Sequence, residues 1–300
     1  MKKSTSYLLC FLAITLFSTY EIVGKMFGHH IPAVSMTGIR FLIGGTLLLP
    51  MALMEKKVEV RFTKKIVGKI LLVGILNVTI SMVFLQLSVF YSKAVLAAII
   101  FSANPVFVGI FSIFFEREKL TRMNVLGLGI GLMGLVFIAF GERYLFTGSN
   151  NMMLGIIFGI FSGIVFGAYT VLSKMYVREI GTFKLNSYAF ISGALILFAI
   201  GFIFDLEMGF VVTGSNLLSL AYLGIIITGI GYFMYFEGLK DITTAKGAMF
   251  FYLKPVIAGI LAFFILDETL TLLQVLGFIV VLIGVNLERI YYSLQNKVGI

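Results

Sequence analysis

Ten runs of apolar residues, separated by short polar breaks, follow one another along this 300-residue chain. They cover about 6–27, 33–54, 65–88, 93–115, 122–141, 153–176, 184–205, 216–238, 245–266 and 271–290. Each is near the ~20 residues that carry a helix across a bilayer core. None alternates with the period of two that a transmembrane β-strand needs. A backbone in lipid satisfies its own N–H and C=O groups only as a helix or a closed barrel, so each run predicts one helical span. The first run follows Met1-Lys2-Lys3 and is long for a signal-peptide core. No small-x-small cleavage site follows Phe17, so this run is expected to remain as span one.

The pattern is used twice. Asn104-Pro105-Val106 opens a stretch that returns at Lys254-Pro255-Val256. Gly109 falls on Gly259, Phe114 on Phe264, Glu118 on Glu268 and Gly134 on Gly284, at a constant offset of 150. Nearer the start, Tyr20 and Lys25-Met26 match Tyr169 and Lys174-Met175 at an offset of 149. A fixed-period match of this length predicts two copies of one unit, at 1–142 and 153–290, joined by residues 142–152. Five spans per copy is an odd number, so the second copy is expected to enter the membrane upside down. Inverted repeats of this kind recur in secondary transporters.

Composition agrees with the spans: 60% of the residues are hydrophobic, more than a soluble core can hide. The net charge of +9 does not point to nucleic acid, because the basic residues sit between apolar runs and make no continuous polar face. Of the 23 Lys and Arg, 18 fall on one side of the ten-span arrangement. Lys25, Lys93 and Arg143 fall on the other, and Arg40 and Lys254 lie within spans. The positive-inside rule then places both termini in the cytoplasm and the chain in the cell (inner) membrane. Cys10 is the sole cysteine and the histidines are only His29-His30, so no metal or cofactor is expected. Gly155, Gly159, Gly163 and Gly167 line one face of span six, and Gly127 and Gly131 one face of span five. Such faces serve close helix packing, within a subunit or between subunits.

Polar groups at depth carry the candidate chemistry, since a central charge costs ~2.5–3.5 kcal/mol on insertion scales. Glu21 and Arg40 both lie ~10 Å below the outer surface on adjacent spans. They could form a permanent pair, a gate, or part of the substrate contact. Asn104-Pro105 and Lys254-Pro255 sit near the midplane of spans four and nine. Each proline leaves the carbonyl four residues earlier, Phe101 or Phe251, without its helical donor. If Glu21 pairs with Arg40, Lys254 must snorkel, deprotonate or face a water-filled cavity, where it would suit a carboxylate. The competing arrangement pairs Glu21 with Lys254 and leaves that role to Arg40. Asn77 and Ser81, four residues apart on span three, and Tyr232 and Tyr235 on span eight are candidate lining residues. There is no H-E-x-x-H, P-loop or paired intramembrane carboxylate, so neither an enzyme nor an ATP-driven pump is indicated. A passive channel would need a polar stripe along several spans, whereas the polar residues here gather near one depth.

The runs N-P-V-F-V-G with E-R-E-K-L-T and V-L-G-L-G at 104–134, and K-P-V-I-A-G with D-E-T-L-T and V-L-G through 284, resemble EamA-type carriers of the drug/metabolite transporter superfamily. Gly38-Ile39-Arg40-Phe41 resembles the family's second span. The resemblance implies an all-α membrane protein with ten transmembrane helices, both termini inside and a central cavity between the halves. It implies export or exchange of amino acids or other small metabolites, with carriage of nucleotide sugars or drugs as the nearest variant. Relatives often carry Glu or a small neutral residue before the second proline, and Lys254 departs from that.

Overall fold

The computed structural model describes residues 3–20, 23, 31–55, 62–92, 94–141, 151–265 and 270–298. Among these the regular elements are all helical: α1 (Lys3–Ser18), α2 (Ala33–Met54), α3 (Lys64–Tyr91), α4 (Leu96–Glu116), α5 (Arg122–Gly141), α6 (Met152–Ile180), α7 (Thr182–Ile203), α8 (Gly214–Leu239), α9 (Thr244–Ile265) and α10 (Leu272–Val298). Nine of them, α2 to α10, are long and apolar enough to cross a membrane. α1 is shorter at 16 residues, although the Val23 N–H donates to Thr19 O at 3.0 Å in the helical manner. Glu21, Lys25, His29-His30, Lys93, Glu268 and the link 142–150 lie outside the described residues.

The helices begin where local chemistry can satisfy free N–H groups. Thr63 caps α3 and Thr213 caps α8, each accepting from the N–H three residues on. Thr121 and Asn124 bond reciprocally at the start of α5, and Thr271 and Gln274 do the same at the start of α10. α6 turns into α7 at Gly181, whose φ of +97° suits glycine alone. The Glu55 carboxylate, at the end of α2, accepts the N–H groups of Thr182 and Lys184, both at 3.1 Å. An anion there also complements the N-terminal dipole of α7.

Four of the helices are irregular in the middle. α3 widens to a π-helix over Ile75–Met82, and α8 over Leu223–Gly231. In α8 the Thr228 hydroxyl donates to Leu223 O at 2.8 Å, supplying a carbonyl within the widened turn. α4 is interrupted between Phe101 and Asn104, just before Pro105. α9 tightens to a 3-10 turn over Phe250–Tyr252, just before Pro255. In α4 and α9 these are the sites where a missing proline N–H breaks the ladder.

Small residues let the helices close on one another. α5 packs along α10 and α2 along α7. A Cβ on Gly284 would stand 2.6 Å from the Gly131 nitrogen and 2.9 Å from the Gly127 oxygen, so the backbones of α10 and α5 are in contact there. The α6 stripe is used within the chain: Gly155 faces Ser92, Gly159 faces Ser88, and Gly163 and Gly167 face Phe107. Hydroxyls add interhelical bonds, with Ser88 donating to Gly155 O at 2.7 Å and Ser187 to Gly45 O at 2.8 Å.

Gly284→Val forces side-chain atoms against backbone that has no rotamer to move, and should cost ~1–3 kcal/mol or more. Gly129→Ala, where nothing lies within 4 Å, should be neutral. Thermal unfolding of the detergent-solubilised protein checks this, and equal midpoints for the two variants would contradict the α5–α10 contact.

Candidate functional site

At the centre, rings from five helices meet. Phe17 of α1, Phe101 of α4, Phe166 of α6, Tyr232 of α8 and Phe251 of α9 surround a space of about 30 Å³, room for one or two waters. Phe101 and Phe166 have centroids 4.9 Å apart, Phe166 and Phe251 5.3 Å, Phe17 and Phe251 5.9 Å, and Phe17 and Tyr232 5.1 Å. Tyr20, Met82, Leu85 and Ile227 complete the apolar wall. Each broken element contributes. The π segment of α3 ends at Met82 and that of α8 contains Ile227, while Phe101 and Phe251 stand at the interruptions of α4 and α9.

Two cations share this space. Arg40 and Lys254 are each 3% exposed, and both line it. The Arg40 guanidinium carbon lies 5.0 Å from the Tyr20 ring centroid and 4.9 Å from that of Phe41. Lys254 Nζ lies 5.8 Å from the same Tyr20 ring and 5.6 Å from Phe101. Ring faces are negative and stabilise desolvated cations. The Arg40 Nε–H is buried and has no hydrogen-bond partner among the described residues. Tyr20 is itself held by its hydroxyl, which donates to Gln86 Oε1.

The expected lining residues fall into two groups. Tyr232, Lys254 and Arg40 face the space. Asn77 stands one layer behind: its Oδ1 is 3.5 Å from the Tyr232 hydroxyl, and its Nδ2 is buried without a partner among the described residues. Asn104 does not face the space. Its Nδ2 donates to Phe101 O at 2.8 Å, filling the carbonyl that Pro105 leaves vacant. Ser81 also turns away, donating to Ser162 O at 3.0 Å while Ser162 donates to Ser81 O at 2.7 Å. Asn77 and Ser81 both lie in the π segment of α3 and take different partners, Tyr232 of α8 and Ser162 of α6. Tyr235 is fully buried below, packed on Phe17, Phe236 and Phe251. Pro105 and Pro255 each follow an interruption, where they shape the backbone. Glu21, the expected partner of Arg40 or Lys254, lies outside the described residues.

The phenylalanines were the residues that polarity could not reveal. A signal for them does exist in the repeat: Phe17 matches Phe166 at an offset of 149, and Phe101 matches Phe251 at 150.

On the side that carries the predicted cytoplasmic charges, ion pairs tie the helix ends together. Lys174 of α6 is 5% exposed, lies 3.7 Å from the Glu116 carboxylate of α4 and donates to Ile242 O at 2.7 Å. The Thr244 hydroxyl, at the start of α9, donates to the same Glu116, and the Thr244 N–H donates to Glu118 at 3.2 Å. Glu237 of α8 accepts from Thr182 of α7 at 2.9 Å and pairs with Lys240 at 2.7 Å. Lys69 of α3 pairs with Glu179 of α6. These contacts form a polar lattice joining α3, α4, α6, α7, α8 and α9 at that end.

Lys174→Met leaves Glu116 charged and poorly solvated, which should destabilise the fold by about 3–5 kcal/mol. The double variant Lys174→Met/Glu116→Gln should recover much of this loss. Thermal midpoints in detergent test it, and strictly additive effects would remove the coupling.

Comparison with known proteins follows the same organisation. The sequence pattern of the EamA-like transporter family matches residues 4–140 and again residues 153–287. A Clostridium kluyveri protein described as an uncharacterized transporter is 33% identical over 301 aligned residues, covering 99% of this chain and 95% of its own. The uncharacterized transporter YoaV of Bacillus subtilis is 25% identical, covering 94% of this chain and 96% of its own. A solved crystal structure superposes with a TM-score of 0.79 at 21% identity, covering 96% of this chain and 97% of its own, a likeness of fold alone.

Proposed function

The chain belongs to the EamA-like transporter family, a family of multi-pass membrane transporters and not of enzymes, and on that premise we propose that it is a secondary carrier of a small carboxylate-bearing metabolite such as an amino acid. Transport runs by alternating access through the aromatic chamber, in export or exchange. The observation that carries this reading is the placement of Arg40 and Lys254, two buried cations beside one Tyr20 ring at the junction of the helix breaks. A carboxylate between them would satisfy the Arg40 Nε–H and gain charge-assisted bonds in a water-poor site. The rings would hold the apolar part of the substrate.

The proposed architecture is ten spans in two inverted five-helix repeats, 1–142 and 153–290, with both termini in the cytoplasm. Several recurrences support it. The caps at Thr63 and Thr213, the π segments at 75–82 and 223–231, and the reciprocal caps at Thr121 and Thr271 occupy matching places in the two copies. A space of about 30 Å³ admits no metabolite, so the described conformation is a closed one and the helices must part before binding. π segments and proline breaks lack regular ladder bonds and are the economical places for that bending. Two like charges in the site disfavour cationic drugs as cargo. Nucleotide sugars, with phosphates for the cations and a base for the rings, are the second reading.

Counterflow into liposomes preloaded with candidate amino acids is the direct test. Substrate on the far side should accelerate uptake; absence of acceleration would indicate a channel. Arg40→Gln and Lys254→Met should each lower exchange of the carboxylate substrate by ~10–100-fold, the worth of a hydrogen bond to a charged group. Unchanged exchange in both variants would remove the two cations from the site.

A further inference from the structure

Outside the chamber, and toward the charged end, α1, α5, α9 and α10 leave a groove of about 820 Å³ between them, within the range of ligand-binding pockets. Its rim carries Lys246, Glu288 and Arg289. Lys246 Nζ pairs with Glu288 at 2.7 Å, and Asn124 Nδ2 donates to the same carboxylate at 3.1 Å. The one anion at the rim is thus already engaged, while Arg289 and the remaining Lys246 donors give the described rim a net positive charge. Away from the rim the groove is apolar. Leu8 and Phe11 of α1 and Leu282 of α10 line it and are exposed at 55%, 42% and 46%, on a chain whose surroundings at that depth are acyl chains.

A cationic rim at a helix end above an apolar trough matches one occupant. We propose that the groove binds a single anionic glycerophospholipid, with its phosphate at Lys246 and Arg289 and one acyl chain along Phe11 and Leu282. Basic pockets between transmembrane helices recognise anionic head groups in this way, and each buried methylene adds to retention. The site also touches the candidate transport machinery. Met249, Phe250 and Leu253 face the groove, while Phe251 and Lys254 of the same broken stretch of α9 face the chamber. A lipid seated in the groove therefore supports the segment that positions Lys254. The proposal needs the chain to span a bilayer but does not depend on which metabolite it carries.

Native mass spectrometry of the purified full chain in detergent, titrated with dioleoyl phosphatidylglycerol or dioleoyl phosphatidylcholine, tests it without any transport readout. One phosphatidylglycerol should be retained at least about tenfold more strongly than phosphatidylcholine, a difference expected for loss of charge-assisted contacts. Lys246→Gln/Glu288→Gln combined with Arg289→Gln should erase the preference, whereas Lys64→Gln/Lys65→Gln, exposed on the same side, should keep it. Leu282→Trp, which fills the trough without changing charge, should reduce retention of both lipids. Inorganic phosphate should not displace the bound lipid. Equal retention of the two lipids by the wild type would overturn the proposal. So would a preference that survives the rim variant, displacement by phosphate alone, or a dimer that Leu282→Trp dissolves.

Discussion

Hydrocarbon offers no hydrogen bonds, and that single constraint shapes most of this structure. Every backbone group in a span needs a partner inside the chain. Regular helix provides it for most of the length, so the informative places are those where the ladder fails. At Pro105 the lost donor is replaced by the Asn104 side chain on Phe101 O. In the π segment of α8 the Thr228 hydroxyl supplies Leu223 O. At the helix starts Thr63, Thr121, Thr213, Thr243 and Thr271 take the free N–H groups. Several of the chain's polar side chains are thus spent on its own backbone.

Against that background Arg40 and Lys254 stand out. Asn104 and Lys254 occupy the same place in the two copies, one residue before the repeated proline. Asn104 repairs its own helix, whereas Lys254 reaches the rings of Tyr20 and Phe101. At this matched position of the sequence repeat the two residues do different work. A symmetric framework able to bend at matched breaks, with an asymmetric charge at its centre, is what the proposed carrier requires.

The lattice at the charged end serves a different purpose. Glu116, Lys174, Thr244 and Glu118 join α4, α6 and α9, three helices whose central portions line the chamber. Separating the three helices at that end would break these contacts together, and water entering there would take over their bonds.

The sequence by itself determined the material of the fold: helices of membrane length, their order and the proline breaks. Hydrophobic run length and fixed spacing are local or periodic properties, and the structure places α2 to α10 within a few residues of the expected spans. It also singled out Arg40, Tyr232 and Lys254, because charge and polarity at depth are visible in one dimension. Only the tertiary structure decided which way side chains turn. Asn104 and Ser81 found partners on their own or a neighbouring helix, and Asn77 came to lie behind Tyr232. The phenylalanine wall was hidden for the opposite reason. In a chain with 31 phenylalanines, nothing local distinguishes the four that meet at the centre from those that face lipid. Their recurrence in the repeat is a hint, but the distinction itself comes from packing five helices around one point.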